Sequence, residues 1–233
     1  MKKQTQGLLY FFMADVRHSL MVFWTILLGI LVISLAFAWF LTRVDDGFMS
    51  FSLTGPIYIY CAILGFLTVK ESVPFAIRMG ATRKSLFVSI GLFFLGLSLI
   101  MGLAANILHE LVLWLTEGVG LETFSFLHAA YFLEDTFFTR VLIDSSIMLL
   151  LLSGMFLLGL LFFRFGLAGG GASVGVLFLV VLIGVADGWL IDSVVDIFTG
   201  LEAVFFYQLL GIGCTLYLIS YLLLRRITIV NAK

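Results

Sequence analysis

Charge is scarce in this chain. Asp, Glu, Lys and Arg make up 12% of its 233 residues, while 62% are hydrophobic; a soluble domain carries roughly twice that charge. The apolar residues lie in uninterrupted runs, not at amphipathic spacing. That excludes a soluble globular domain and predicts a polytopic α-helical membrane protein. Cysteine is nearly absent: Cys61 and Cys214 fall inside apolar runs, which excludes a disulfide framework and a cysteine metal site. Of the three histidines, His109 begins a His109-Glu110 pair like that of a zinc-protease helix, but no second histidine follows at the required spacing. His18 and His128 are expected far from it, His18 across the membrane. Nothing resembles a nucleophile elbow or a Ser-His-Asp triad. The run Gly166-Leu167-Ala168-Gly169-Gly170-Gly171-Ala172-Ser173 lacks the Lys-Ser/Thr ending of an ATP loop and follows no strand, so it reads as a helix junction. The chain is therefore expected to be no enzyme and to hold no metal or cofactor of its own.

What is present is a set of apolar spans, at about 20–41, 51–69, 86–108, 141–163, 165–186 and 203–224. The first has Trp24 and Trp39 near its ends, where indoles prefer to sit. It is too long for a signal-peptide core and lacks a small-residue cleavage site. Ahead of it, Gln6–His18 places Leu8, Phe12 and Val16 on one stripe, as in a helix lying in the inner interface; a plain extension of the first span is the alternative. Ser98 with Gly102, Gly154 with Gly159, and Gly211 with Gly213 allow close helix approach. No ionisable residue falls near a midplane, which argues against a proton relay and assigns any transport energy to a separate subunit. Asp144, one turn into the fourth span, is predicted to pair with Arg140 at i, i+4. Ser34, Ser153, Tyr207 and Gln208 are the candidates for a substrate path, with interhelical hydrogen bonding as their other use.

Charge asymmetry orients the bundle. With six spans and the N-terminus inside, every Lys and Arg except Arg43 and Arg140 falls on the inner side. Of the acids, only Asp15 and Glu71 do. The long outer loop, 109–140, holds Glu110, Glu117, Glu122, Glu134 and Asp135, and a short acidic loop near the fifth span holds Asp187, Asp192, Asp196 and Glu202.

One polar stretch, 70–85, interrupts the apolar runs on the inner side. Pro74 suits a helix first turn, Gly80 suits a left-handed helix end, and Thr82 can cap the helix that follows. Val73, Ala76 and Ile77 fall at i, i+3 and i+4 on one face of a short helix. Two turns are too few to be stable alone in water. The helix must pack on its own bundle or membrane surface, or in a groove of a partner.

This stretch, Phe75-Ala76-Ile77-Arg78-Met79-Gly80-Ala81-Thr82-Arg83-Lys84-Ser85-Leu86-Phe87, is similar to the G-x-[ST]-R-[KR] segment of small bacterial permeases. With six spans, a lead-in helix and both termini inside, the chain resembles the membrane subunit of a type-2 ABC exporter (the ABC-2 permease superfamily). The resemblance implies that residues about 72–80 form a coupling helix docking on a separate cytoplasmic ATPase, which binds the ATP and Mg. Val73, Phe75, Ala76, Ile77, Arg78, Met79, Gly80, Arg83 and Lys84 would make up that interface. It also implies pairing with a second copy or a sister permease in a bacterial plasma membrane, and no nucleic acid. A non-transporting immunity, sensory or scaffold protein, its acidic outer loop binding a cationic peptide, is the rival expectation.

Overall fold

The computed structural model describes residues 2–43, 47–121, 123–133, 135–200 and 202–225. Asp45, Asp46, Glu122, Glu134, Arg226 and Lys233 lie outside them. Among the described residues five helical stretches are long and apolar enough to cross a membrane. The protein is a helical membrane protein.

Helix α1 runs unbroken over Lys2–Leu41. The expected interfacial helix is thus continuous with the first span. Its apolar stripe, Leu8, Phe12 and Val16, is buried against the chain itself, with the Phe12 ring 5.8 Å from that of Phe93. An interface position would have left that stripe to lipid; the bundle covers it first.

Helix α2, Thr54–Leu67, continues through a wide π turn at Thr68–Ser72 into α3, Val73–Arg78. The polar stretch is mostly helix, as its residues imply, and α3 joins α2 without a loop between them. It ends where sequence places the end: Gly80 has φ 85, and the bonds Gly80 N–H to Ile77 O and Ala81 N–H to Ala76 O form a Schellman closure. Thr82 then caps α4, Arg83–Val119, by accepting from the Ser85 N–H at 3.2 Å.

Helix α4 does not stop at 108 as predicted. No residue between 108 and 119 breaks it, and a second Schellman closure ends it at Gly120, with Leu121 N–H on Thr116 O at 2.9 Å. The front of the predicted outer loop is helix. Beyond it, β2 (Phe124–Phe126) pairs in parallel with β1 (Met49–Phe51), Phe51 opposite Phe126. Thr123 Oγ1 donates to Ala38 O at 3.0 Å, so this small ribbon ties the C-terminal end of α1 to the end of α4. The all-helical expectation omitted it.

Helix α5 covers Phe137–Ala186 in two arms that meet at Gly166, whose φ 69 and ψ −168 are open to glycine alone. The helix kinks there. A Cβ on Gly170 would lie 2.3 Å from the Phe162 ring. The predicted fourth and fifth spans, 141–163 and 165–186, fall within this one helical stretch, which counts as a single one of the five long apolar helices. Gly188, at φ 81, then starts α6, Trp189–Thr199, where an acidic loop was expected. Helix α7, Ala203–Leu224, matches the predicted sixth span.

The first arm of α5 is the hub of the packing. A Cβ on Gly65 of α2 would sit 2.5 Å from Leu152 O, one on Gly102 of α4 2.9 Å from Ser145 Oγ, and one on Gly213 of α7 3.1 Å from the Leu150 backbone. Small residues let three helices approach one backbone, as packing in lipid requires. The second arm is exposed along most of its length, Leu177 at 67%.

Candidate functional site

Two places gather polar chemistry, one at each end of the bundle. The first, on the side expected to face inward, is the tip formed by α3 and the Gly80 turn. Val73 and Ala76 are fully buried in the chain's own core and Ile77 is half-buried. The foot of α1 is fastened to the same tip. Phe11 stacks on Phe75 at 4.9 Å, Ser72 Oγ donates to Asp15 Oδ2 at 3.0 Å, and Gln4 Nε2 donates to Gly80 O at 3.1 Å. Of the predicted coupling residues, Phe75, Arg78, Met79, Gly80 and Lys84 remain exposed, and Arg83 is half-buried. Arg83 Nη1 is buried without a partner among the described residues. A partner could touch only this outer rim, because the i, i+3 face already has its occupant.

The second place, at the opposite end, centres on Asp144, which has no exposed surface. Its Oδ1 accepts from Tyr58 Oη at 2.5 Å and from His128 Nε2 at 3.1 Å, and its Oδ2 accepts from Asn106 Nδ2 at 2.7 Å. The Ala130 N–H points at His128 Nδ1, 2.9 Å away. That nitrogen must accept, so the proton of a neutral imidazole sits on Nε2 and is donated to the carboxylate. A buried carboxylate is tolerable only when hydrogen-bonded; here three neutral donors from α2, α4 and the outer segment do so.

The predicted Arg140–Asp144 pair does not form. Arg140, itself buried, donates through Nη1 to Glu110 Oε1 at 2.7 Å and through Nε to Asp135. Both carboxylates sit nearer the rim. Next to this group, burial and the Asp135 carboxylate raise the Tyr131 phenol above its ordinary range. His109 and His128, expected far apart, lie with ring centroids 6.1 Å apart. His109 stacks on Phe126 at 4.4 Å, and its buried Nε2 has no partner among the described residues. No group of three His, Cys, Asp or Glu able to hold a metal occurs among the described residues.

The four path candidates are scattered. Ser34 is buried on α1, and Ser153 is buried on α5 with its Oγ unpartnered among the described residues. Tyr207 and Gln208 are exposed on α7, Gln208 beside Asp196 and Glu202 in a shallow cavity of about 320 Å³. Sequence reasoning missed Tyr58, Asn106 and His128 as partners of Asp144. Only the burial of an acid inside a span pointed to them. Comparison with protein-family models, with curated proteins and with solved structures finds no match to this chain.

Proposed function

We propose that this chain is the membrane subunit of an ATP-driven exporter of the type-2 ABC class, working with a separate cytoplasmic ATPase in a bacterial plasma membrane. Six crossings with both termini inside follow if each arm of α5 crosses once, and the kink at Gly166, where the backbone leaves helical geometry, supports that count. The observation that carries the reading is the absence of slack at the inner tip. The exposed Phe75, Arg78 and Met79 join α2 through helical turns alone, and only Met79 to Thr82 separate α3 from α4. A push on such a tip reaches two spans without being absorbed, and nucleotide-driven motion of a partner can then shift the bundle between two packings. The cationic rim of Arg78 and Lys84 suits an acidic groove on that partner.

Affinity-tagged protein from its native host is expected to bring down an ABC ATPase. Arg78→Glu combined with Lys84→Glu should abolish that association while leaving the protein folded and in the membrane. If no ATPase co-purifies and the charge reversal leaves the cellular phenotype intact, the exporter reading is wrong and a non-transporting module takes its place. Retention of a cationic peptide by the protein alone would mark that second class.

A further inference from the structure

Between the N-terminal half of α1 and the middle of α4 lies an apolar groove of about 640 Å³. It adjoins a second recess of about 210 Å³ that shares Met13, Leu20, Leu97 and Ile100. The α4 wall belongs to the uncharged run between Lys84 and His109, long enough to cross a bilayer's hydrocarbon core. The groove therefore opens toward lipid, not toward water. Its lining contains one charged side chain, Arg17, and no acid. Arg17 is exposed and forms no ion pair among the described residues. The neighbouring Asp15 is turned away and bonded to Ser72.

The polar and apolar parts of the groove are separated along its length. Helical side chains lean toward the helix N-terminus, so Arg17 leans toward the end of the groove marked by Tyr10, a residue 77% exposed, and toward the membrane surface on that side. Beyond Arg17 the lining is wholly apolar. Even the Trp24 indole nitrogen is occupied, donating to the Met101 sulfur at 3.4 Å. From Tyr10 to Trp24 the groove follows about 21 Å of helix at ~1.5 Å per residue. One leaflet of hydrocarbon is about 15 Å deep, which leaves room for a headgroup at the Tyr10 end.

We propose that this groove binds one anionic phospholipid, with its phosphate on Arg17 and an acyl chain along the seam of α1 and α4. An unpaired cation at a membrane face attracts anionic headgroups, and a guanidinium matches a phosphate with two parallel hydrogen bonds. The assignment rests on membrane placement alone and does not depend on the exporter reading.

The test uses the full chain with Trp39, Trp114 and Trp189 replaced by Phe, so that Trp24 reports on the groove. Reconstitution into nanodiscs with increasing fractions of bromine-labelled phosphatidylglycerol, or of bromine-labelled phosphatidylcholine, reads occupancy as quenching. Phosphatidylglycerol is expected to reach half-quenching at a mole fraction at least threefold lower. Arg17→Gln should erase that preference, Arg17→Lys should keep most of it, and Ala104→Ile should reduce quenching by both lipids. Equal quenching by the two lipids, or an unchanged preference in Arg17→Gln, would overturn the assignment. So would competition by free glycerol phosphate as effective as that of the lipid, or cross-linking of Met13→Cys into a dimer that excludes the lipid.

Discussion

Replacing Asp144 by Ala would strand three buried donors on Tyr58, Asn106 and His128. Removing one partner of a buried polar group costs about 1–3 kcal/mol for each group left unsatisfied, and the loss of the carboxylate's own desolvation cost offsets part of the sum, so Asp144→Ala is expected to lower stability in detergent by about 3–5 kcal/mol. Asp144→Asn keeps the shape and one acceptor but sets a donor against donors, and a loss of about 1–3 kcal/mol is expected. Reversible denaturant unfolding with a helical readout measures both. Nitrogen-15 shifts of His128 should show the proton on Nε2, since Ala130 holds Nδ1 as an acceptor; a proton on Nδ1 would contradict the network. Sequence could not reveal these partners because they stand 86, 38 and 16 residues from Asp144. Along the helix the only visible partner is Arg140. Arg140 instead takes two carboxylates, Glu110 and Asp135, that close the rim above it.

Helix contacts divide the glycines into those that must stay bare and those that need not. Gly65→Ala would push a methyl to 2.5 Å from a backbone oxygen of the α5 hub, which cannot yield. Overpacking of this kind costs about 1–3 kcal/mol. Gly29→Ala meets nothing within 4 Å and should be neutral or stabilising by up to about 1 kcal/mol, the difference in helix propensity. Parallel thermal scans of the two variants check the contrast. At Gly166 the constraint is the backbone itself, and Ala there should cost about 1–3 kcal/mol and weaken cross-linking between cysteines placed at 162 and 170. Local chemistry was legible at this scale. Gly80, Thr82, the Leu8–Phe12–Val16 stripe and the break in the glycine run can all be read from side-chain type and spacing. The overrun of α4 to Val119 could not, because the acids Glu110 and Glu117 look like loop while nothing before Gly120 stops a helix. Nor could the apolar wall facing Arg17, which only the crossing of α1 over α4 creates.

For the whole molecule, the order of crossings is open to direct measurement. In a background with Cys61 and Cys214 changed to Ala, single cysteines at Met79, Tyr131 and Asp192 can be labelled by a membrane-impermeant thiol reagent. Met79→Cys is expected to react only from the cytoplasmic face, and Tyr131→Cys and Asp192→Cys only from the opposite face. If Asp192→Cys shares a face with Met79→Cys, the second arm of α5 does not cross and the bundle has fewer spans. The two ends of the molecule were unequally legible for a physical reason. The Gly80 turn and the Thr82 cap depend on neighbours in sequence, whereas the foot of α1 on that tip and the opposite cap of β1, β2 and His128 are brought in from distant segments.

Because α1 is one helix of 40 residues, about 60 Å long at ~1.5 Å per residue, it behaves as a lever. Its foot is fastened to Ser72, Phe75 and Gly80, and its head bears on Thr123 through the Ala38 carbonyl. A tilt of about 5° imposed at the foot swings the head by roughly 5 Å over that length, more than enough to part the Thr123–Ala38 hydrogen bond. Any molecule that nudges the Gly80 tip would thereby loosen the β1–β2 ribbon at the opposite end of the bundle.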